Sequence, residues 1–149
     1  MKRKLSVIFL ILLFSQSFMG ISANEIKQKE ENMSDKIKIT IGSKVFIATL
    51  DENETVKELK KMLPLTLNMN ELNGNEKYFD FSHNLPTNSS KPKTIHSGDL
   101  MIWSSNTLVL FYKTFPTPYS YTKIGHIDDL NGLEEALGLD EVTIIFESK

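Results

Sequence analysis

The stretch Lys36-Ile-Lys-Ile-Thr-Ile-Gly-Ser-Lys-Val-Phe-Ile-Ala-Thr-Leu50 decides the fold class. Ile37, Ile39 and Ile41 alternate with Lys36, Lys38 and Thr40, so the apolar residues share one face, the period-2 mark of a half-buried strand. Gly42-Ser43 makes a two-residue turn, and Lys44–Leu50 returns as the hairpin partner, with Val45 and Ile47 read as inward positions. The fold therefore begins as antiparallel sheet.

Working toward the C-terminus, Asp51-Glu52-Asn53 offers a helix cap. Val56, Leu59 and Met62/Leu63 recur at helical spacing until Pro64 stops a helix over 54–63. Leu65–Leu72 alternates again, Asn73-Gly74 is a hairpin signal, and Lys77–Phe81 reads as the returning strand. Residues 82–94 carry Pro86, Asn88, Ser89, Ser90 and Pro92 and read as a surface loop. Leu100–Ser104 and Thr107–Lys113 form a strand pair, followed by an aromatic, proline-bearing loop over Thr114–Tyr121. Thr122–Ile127 makes a short strand, Asn131 is expected to cap a brief helix over Gly132–Leu137, and Glu141–Glu147 alternates to the end. About eight strands and two short helices predict a mainly β domain, a small closed barrel over residues 36–149. Its expected core holds Ile37, Ile39, Val45, Ile47, Leu59, Leu110, Ile124, Ile144 and Phe146, with Trp103 and Phe111 also placed inside.

Working toward the N-terminus, residues 24–35 are almost wholly polar and read as a solvated tether. Before them, Lys2-Arg3-Lys4 precede an apolar run over Leu5–Phe14, and Ile21-Ser22-Ala23 ends in a small residue. These are the three parts of a secretory signal. The run is too short for a comfortable bilayer span of roughly 20 residues. Cleavage after Ala23 and export are expected, with the membrane touched only through this segment if it stays uncleaved.

The chain has no Cys, which excludes a disulfide framework, thiol catalysis and thiolate-bound zinc. It has a single Arg, Arg3. Without Lys2, Arg3 and Lys4, 14 basic residues face 19 acidic ones. A mildly acidic domain without a guanidinium is a poor match for phosphate, so nucleic acid is not an expected partner.

Six aromatics, Trp103, Phe111, Tyr112, Phe115, Tyr119 and Tyr121, fall within 19 residues of a chain that has 14. Tyr119 and Tyr121, beside Pro118 and Ser120, are hard to bury fully and offer rigid area plus a hydroxyl to a ligand. The polar hairpin tip Glu71-Leu72-Asn73-Gly74-Asn75-Glu76 is either turn chemistry or a hydrogen-bonding rim over a pocket. The candidate ligand-binding residues are thus Phe111, Tyr112, Phe115, Tyr119, Tyr121, Glu71 and Asn73. His83, His96 and His126 have no metal-ligand spacing, and Asp128-Asp129 reads as a pair of carboxylates complementing a helix start. No catalytic residue, metal or cofactor is assigned.

Several segments resemble the small bacterial cyclophilin-like proteins. They are Leu63–Met69, Glu71–Tyr78, Gly98-Asp99-Leu100, Leu108–Tyr112 and Tyr119-Ser-Tyr-Thr-Lys-Ile-Gly-His-Ile127. The resemblance covers roughly residues 36–147 and implies an eight-stranded barrel with a helix at each end. True cyclophilins isomerise X-Pro bonds across a barrier of about 18–20 kcal/mol. They use an arginine to polarise the amide and aromatic walls to hold the proline ring. Here the only Arg lies in the signal segment, and the family's Phe-His-Arg and Gln-Gly-Gly-Asp segments are absent. Of that site the resemblance leaves an aromatic wall, Phe111 or Tyr112 together with Tyr121. The resulting expectation is a non-catalytic domain that binds a small molecule or a Pro-containing peptide. Prolyl isomerisation and a purely structural role are the alternatives.

Overall fold

The computed structural model describes residue 20 and residues 22–149. Apart from residues 20, 22 and 23, the expected signal segment lies outside the described residues. The elements run α1 (Ala23–Ser34), β1 (Lys36–Ile41), β2 (Lys44–Leu50), α2 (Glu54–Met62), β3 (Leu65–Leu72), β4 (Glu76–Asp80) and β5 (Thr94–Ile95). They continue with β6 (Asp99–Trp103), β7 (Thr107–Phe111), β8 (Phe115–Pro116), β9 (Thr122–Ile127), α3 (Leu133–Leu137) and β10 (Val142–Ser148). Eight strands close an antiparallel barrel in the order β1-β10-β3-β4-β7-β6-β9-β2, while β5 and β8 pair separately as a two-stranded ribbon. Among the described residues three helices stand where two were expected. The added one is α1, over the stretch read as a tether, and Ser22 opens it with a reciprocal capping box to Glu25. Among the described residues no helix is long and apolar enough to cross a membrane.

Ile37, Ile39 and Ile41 of β1 lie inside the barrel as their alternation predicts, but β2 is turned by one residue from the expected register. Val45 is 57% exposed and Ile47 half-buried, whereas Phe46, Ala48 and Leu50 enter the core. The pairings Ile39↔Phe46 and Ile37↔Ala48 explain the correction. Residues directly opposite one another on antiparallel strands point to the same face. With a two-residue turn at Gly42-Ser43, odd-numbered inward residues on β1 must therefore face even-numbered ones on β2.

Helix α2 starts where Asn53 Oδ1 accepts the Val56 backbone N–H at 2.8 Å, and the Asn53 amide donates to Lys123 O at 2.8 Å, tying the helix to β9. Its Val56 and Leu59 cover the end of the barrel at which β1 begins and β2 ends. Helix α3 packs Leu133 and Leu137 at the opposite end. Asn131 does not cap α3. Gly132, at φ 81°, holds that position without a side-chain bond, because the turn requires a left-handed residue there. Strands β2 and β9 approach so closely that a Cβ on Gly125 would stand 2.2 Å from Thr49 O, so only glycine fits.

The expected surface loop over 82–94 is also more structured than its composition suggests, since Leu85 is buried in the main core. Just after it, Ile95 is buried in a second apolar cluster outside the barrel wall. That cluster organises the site.

Candidate ligand-binding groove

On β4, β7 and β6, one set of alternating residues fills the barrel, including Lys77, Leu108, Leu110, Leu100 and Ile102. The other set faces outward and is matched across strands by register. Asp80 stands opposite Thr107 and Thr107 opposite Trp103; Tyr78 stands opposite Val109 and Val109 opposite Met101; Glu76 stands opposite Phe111. All five residues of β7 are buried. A strand buried on both faces reads as a continuous apolar run, and its outer face needs a cover.

The chain itself supplies that cover. The β5–β8 ribbon lays Ile95 and Phe115 on Met101, Val109 and Phe111, and Tyr121 joins them. The Tyr121 ring meets Phe111 edge-on with centroids 5.6 Å apart, and Phe115 lies 5.7 Å from Phe111. Reciprocal backbone bonds between Ser90 and Tyr121, at 2.9 and 3.0 Å, pin the strap to the loop before it. The cover is incomplete. Between strap and wall lies a groove of about 480 Å³, within the roughly 300–1,000 Å³ usual for ligand sites. Tyr78, Trp103, Phe115, Tyr119 and Tyr121 provide its aromatic surface, and Asn73, Asn75, Glu76, Asp80 and Thr107 its main polar groups. Trp103 is 50% exposed and Tyr119 61% exposed, so both present ring surface to solvent at the groove.

The polar rim divides into satisfied and unsatisfied groups. Thr107 Oγ1 donates to Asp80 Oδ1 at 2.6 Å. Burial, then the neighbouring Glu71 carboxylate, push Glu76 above the ordinary carboxylate range. Burial likewise raises the Tyr121 hydroxyl. Asn75 Oδ1 is buried and accepts no hydrogen bond among the described residues.

Among the residues singled out from sequence, Asn73, Phe115, Tyr119 and Tyr121 line this groove. Phe111 lies beneath it as fully buried support. Glu71 and Tyr112 belong elsewhere. The Tyr112 hydroxyl donates to Glu71 Oε1, and the same carboxylate oxygen accepts from Lys77 Nζ at 3.2 Å, beside the end of α3. Burial and the adjacent Glu71 charge hold the Tyr112 hydroxyl well above the ordinary phenol value. These two residues are part of a structural network, not of the groove surface. Trp103, expected in the core, is instead a groove wall, because its neighbour Ile102 takes the inward position. Asn75 and Glu76 belong to the polar hairpin tip read as a possible rim, whereas Tyr78 and Asp80 were not singled out from sequence. The signal for those two was strand parity, since Lys77 and Phe79 point inward and leave 76, 78 and 80 outside.

The other candidates hold local structure. Asp128 accepts from Lys36 at 2.8 Å and Thr49 at 2.5 Å; although burial alone would raise its carboxyl, these bonds keep it below the ordinary range. Asp129 accepts the Asn131 backbone N–H at 3.0 Å.

A model of the cyclophilin-like family matches residues 39–147, nearly the whole barrel. The solution structure of a hypothetical protein from Archaeoglobus fulgidus is similar in fold, with a TM-score of 0.58 and 21% identity over 79% of this chain and 97% of that one. No curated protein matches the sequence.

Proposed function

This chain belongs to the cyclophilin-like family, and we propose that it uses the barrel as a non-catalytic binding module for a small molecule or short peptide. The observation that carries the reading is the aromatic groove between the β5–β8 strap and the outer face of β4 and β7. Five aromatic rings around one cavity offer large apolar area at low conformational cost, and their hydroxyls and indole N–H fix orientation.

Isomerisation fits these residues less well. An enzyme that loosens an X-Pro amide needs a fixed donor aimed at the proline nitrogen, and residues 24–149 contain no Arg. Losing one preorganised donor costs on the order of 10²–10³ in rate. The full chain is expected to leave isomerisation of a Pro-containing test peptide at its uncatalysed rate. A catalysed signal that copurifies with the chain and disappears in Tyr121→Ala would overturn the non-catalytic reading.

Binding is tested by a thermal-shift screen of the full chain against metabolites and Pro-containing peptides, because a ligand specific to the native state must raise its melting temperature. For any hit, Tyr119→Ala and Trp103→Ala are each expected to weaken affinity by about tenfold, the value of an aromatic contact of about 1.4 kcal/mol, with the unliganded melting temperature unchanged. Hits indifferent to both substitutions would move the site elsewhere. A screen without hits would favour a purely structural domain.

We further propose that the protein is exported by the segment ending at Ala23. Mass spectrometry of the exported product should find the chain beginning at Asn24; an intact N-terminus would leave the segment as an anchor.

A further inference from the structure

The groove's charge and hydrogen-bonding pattern is one-sided. Among the described residues its lining includes two carboxylates, Glu76 and Asp80, and no Lys, Arg or His. Neither carboxylate is in an ion pair among the described residues. Lys77, the residue after Glu76, points into the barrel toward Glu71, and Lys113 pairs with Glu134 at 2.7 Å. The acidity is set among the faces of Tyr78, Trp103, Phe115, Tyr119 and Tyr121. Aromatic faces carry negative quadrupole density and attract cations within about 6 Å, Trp most strongly. A separate observation has the same sign. Asn75 lines the groove, and its Oδ1 is a buried acceptor without a donor among the described residues, a costly state.

Resting on the binding reading above, we propose that the groove takes an organic cation, an ammonium or guanidinium carried on an apolar body. The apolar body lies against Phe115, Val109 and Tyr121, where the strap meets the wall. The cationic head lies between Glu76 and Asp80 with Trp103 and Tyr78 as its aromatic faces. An anionic ligand would meet two like charges and no donor cation. Burial's upward push on Glu76 agrees with a carboxylate whose counter-ion is supplied by the ligand.

The same chemistry has two sources, a free organic ammonium or the Arg or Lys side chain of a peptide. The experiment titrates the full chain by calorimetry with benzyltrimethylammonium, benzyl alcohol and phenylacetate. A second arm uses acetyl-Gly-Arg-Gly-amide and its citrulline counterpart, which keeps the shape of Arg without its charge. The cation of at least one arm is expected to bind at least tenfold tighter than its neutral partner, with phenylacetate weakest. The arm with the tighter cation identifies the source. Glu76→Gln and Asp80→Asn should each cost the cation at least fivefold and leave the neutral probes unchanged; an unchanged melting temperature shows that each variant is folded. Equal affinity for charged and neutral partners, a preference for phenylacetate, or indifference to both substitutions would overturn the cation assignment while leaving groove binding intact. If instead no probe binds and Trp103→Ala changes nothing for hits of the thermal-shift screen, it is the groove reading that fails.

Discussion

Replacing Glu71 with alanine should lower the stability of the domain by about 3–5 kcal/mol, the usual consequence of leaving one member of a buried ion pair alone. Its partner Lys77 has no exposed side-chain surface, and its ammonium has three acceptors: Glu71 Oε1 at 3.2 Å, Gly138 O at 3.0 Å and Asp140 O at 2.6 Å. The two carbonyls fix the chain just beyond α3, so the network joins the start of β4 to the plug at that end of the barrel. Glu71 also accepts from the Tyr112 hydroxyl, and its Oε2 from the Gly74 N–H at 3.1 Å. Alanine would leave the buried ammonium with two carbonyls but without its counter-charge, and would take an acceptor from the Tyr112 hydroxyl and the Gly74 amide. A loss of this size is a large share of the roughly 5–15 kcal/mol that holds a domain together. Urea unfolding measures it, with an unchanged slope showing that the same cooperative unit unfolds. Glu71→Gln, which keeps the acceptor but not the charge, should cost less. A change below about 1 kcal/mol in both variants would show that Lys77 draws its stability from the carbonyls alone.

The same carboxylate carries a pH dependence with a definite sign. Burial alone would raise Glu71, but hydrogen bonds from Tyr112, Lys77 and the Gly74 amide, with the charge of Lys77, hold it below its ordinary value. A group whose folded pKa is depressed contributes stability above its unfolded value, roughly 4.3. That contribution is lost as pH falls through the folded value. Between about pH 5 and lower values, the parent should therefore lose stability faster than Glu71→Gln.

Much of this architecture was legible because alternation and turn residues are local signals. The isoleucines of β1, the Asn53 cap, the Asn73-Gly74 turn and the alternation of Val142, Ile144 and Phe146 each report their own surroundings. The groove was only half legible, for a physical reason. Aromatic density between 103 and 121 signals that rings gather, but not which sheet face receives them. That depends on pairing between strands distant in sequence: Tyr78 is brought to Val109, and Asp80 to Thr107, only by the β4–β7 register. Glu71 and Tyr112 misled for the same reason. Polar and aromatic residues near a hairpin tip resemble a rim until the fully buried Lys77 reveals an interior use for them. Helix α1 escaped because a polar stretch with no apolar stripe has little to announce it beyond its cap.

The hairpin register gives the sharpest test of how far such local reading can be trusted, and Phe46→Ala should cost about 3–5 kcal/mol. Phe46 is only 5% exposed and stands opposite Ile39, which has no exposed surface. Removing the ring leaves a void among β1, β2 and their core neighbours that a closed barrel cannot easily collapse, since every strand is held on both edges. Val45, one residue earlier and 57% exposed, is the control: Val45→Ala should change stability by no more than about 0.5 kcal/mol, the range of ordinary surface substitutions. The two positions exchange roles under the register that composition alone suggests, in which Val45 and Ile47 face inward. Chemical denaturation of both variants therefore decides between registers one residue apart. A costly Val45→Ala with a tolerated Phe46→Ala would restore the rejected one. It would also turn the whole of β2 over, because a one-residue slip moves every side chain of a strand to the opposite face.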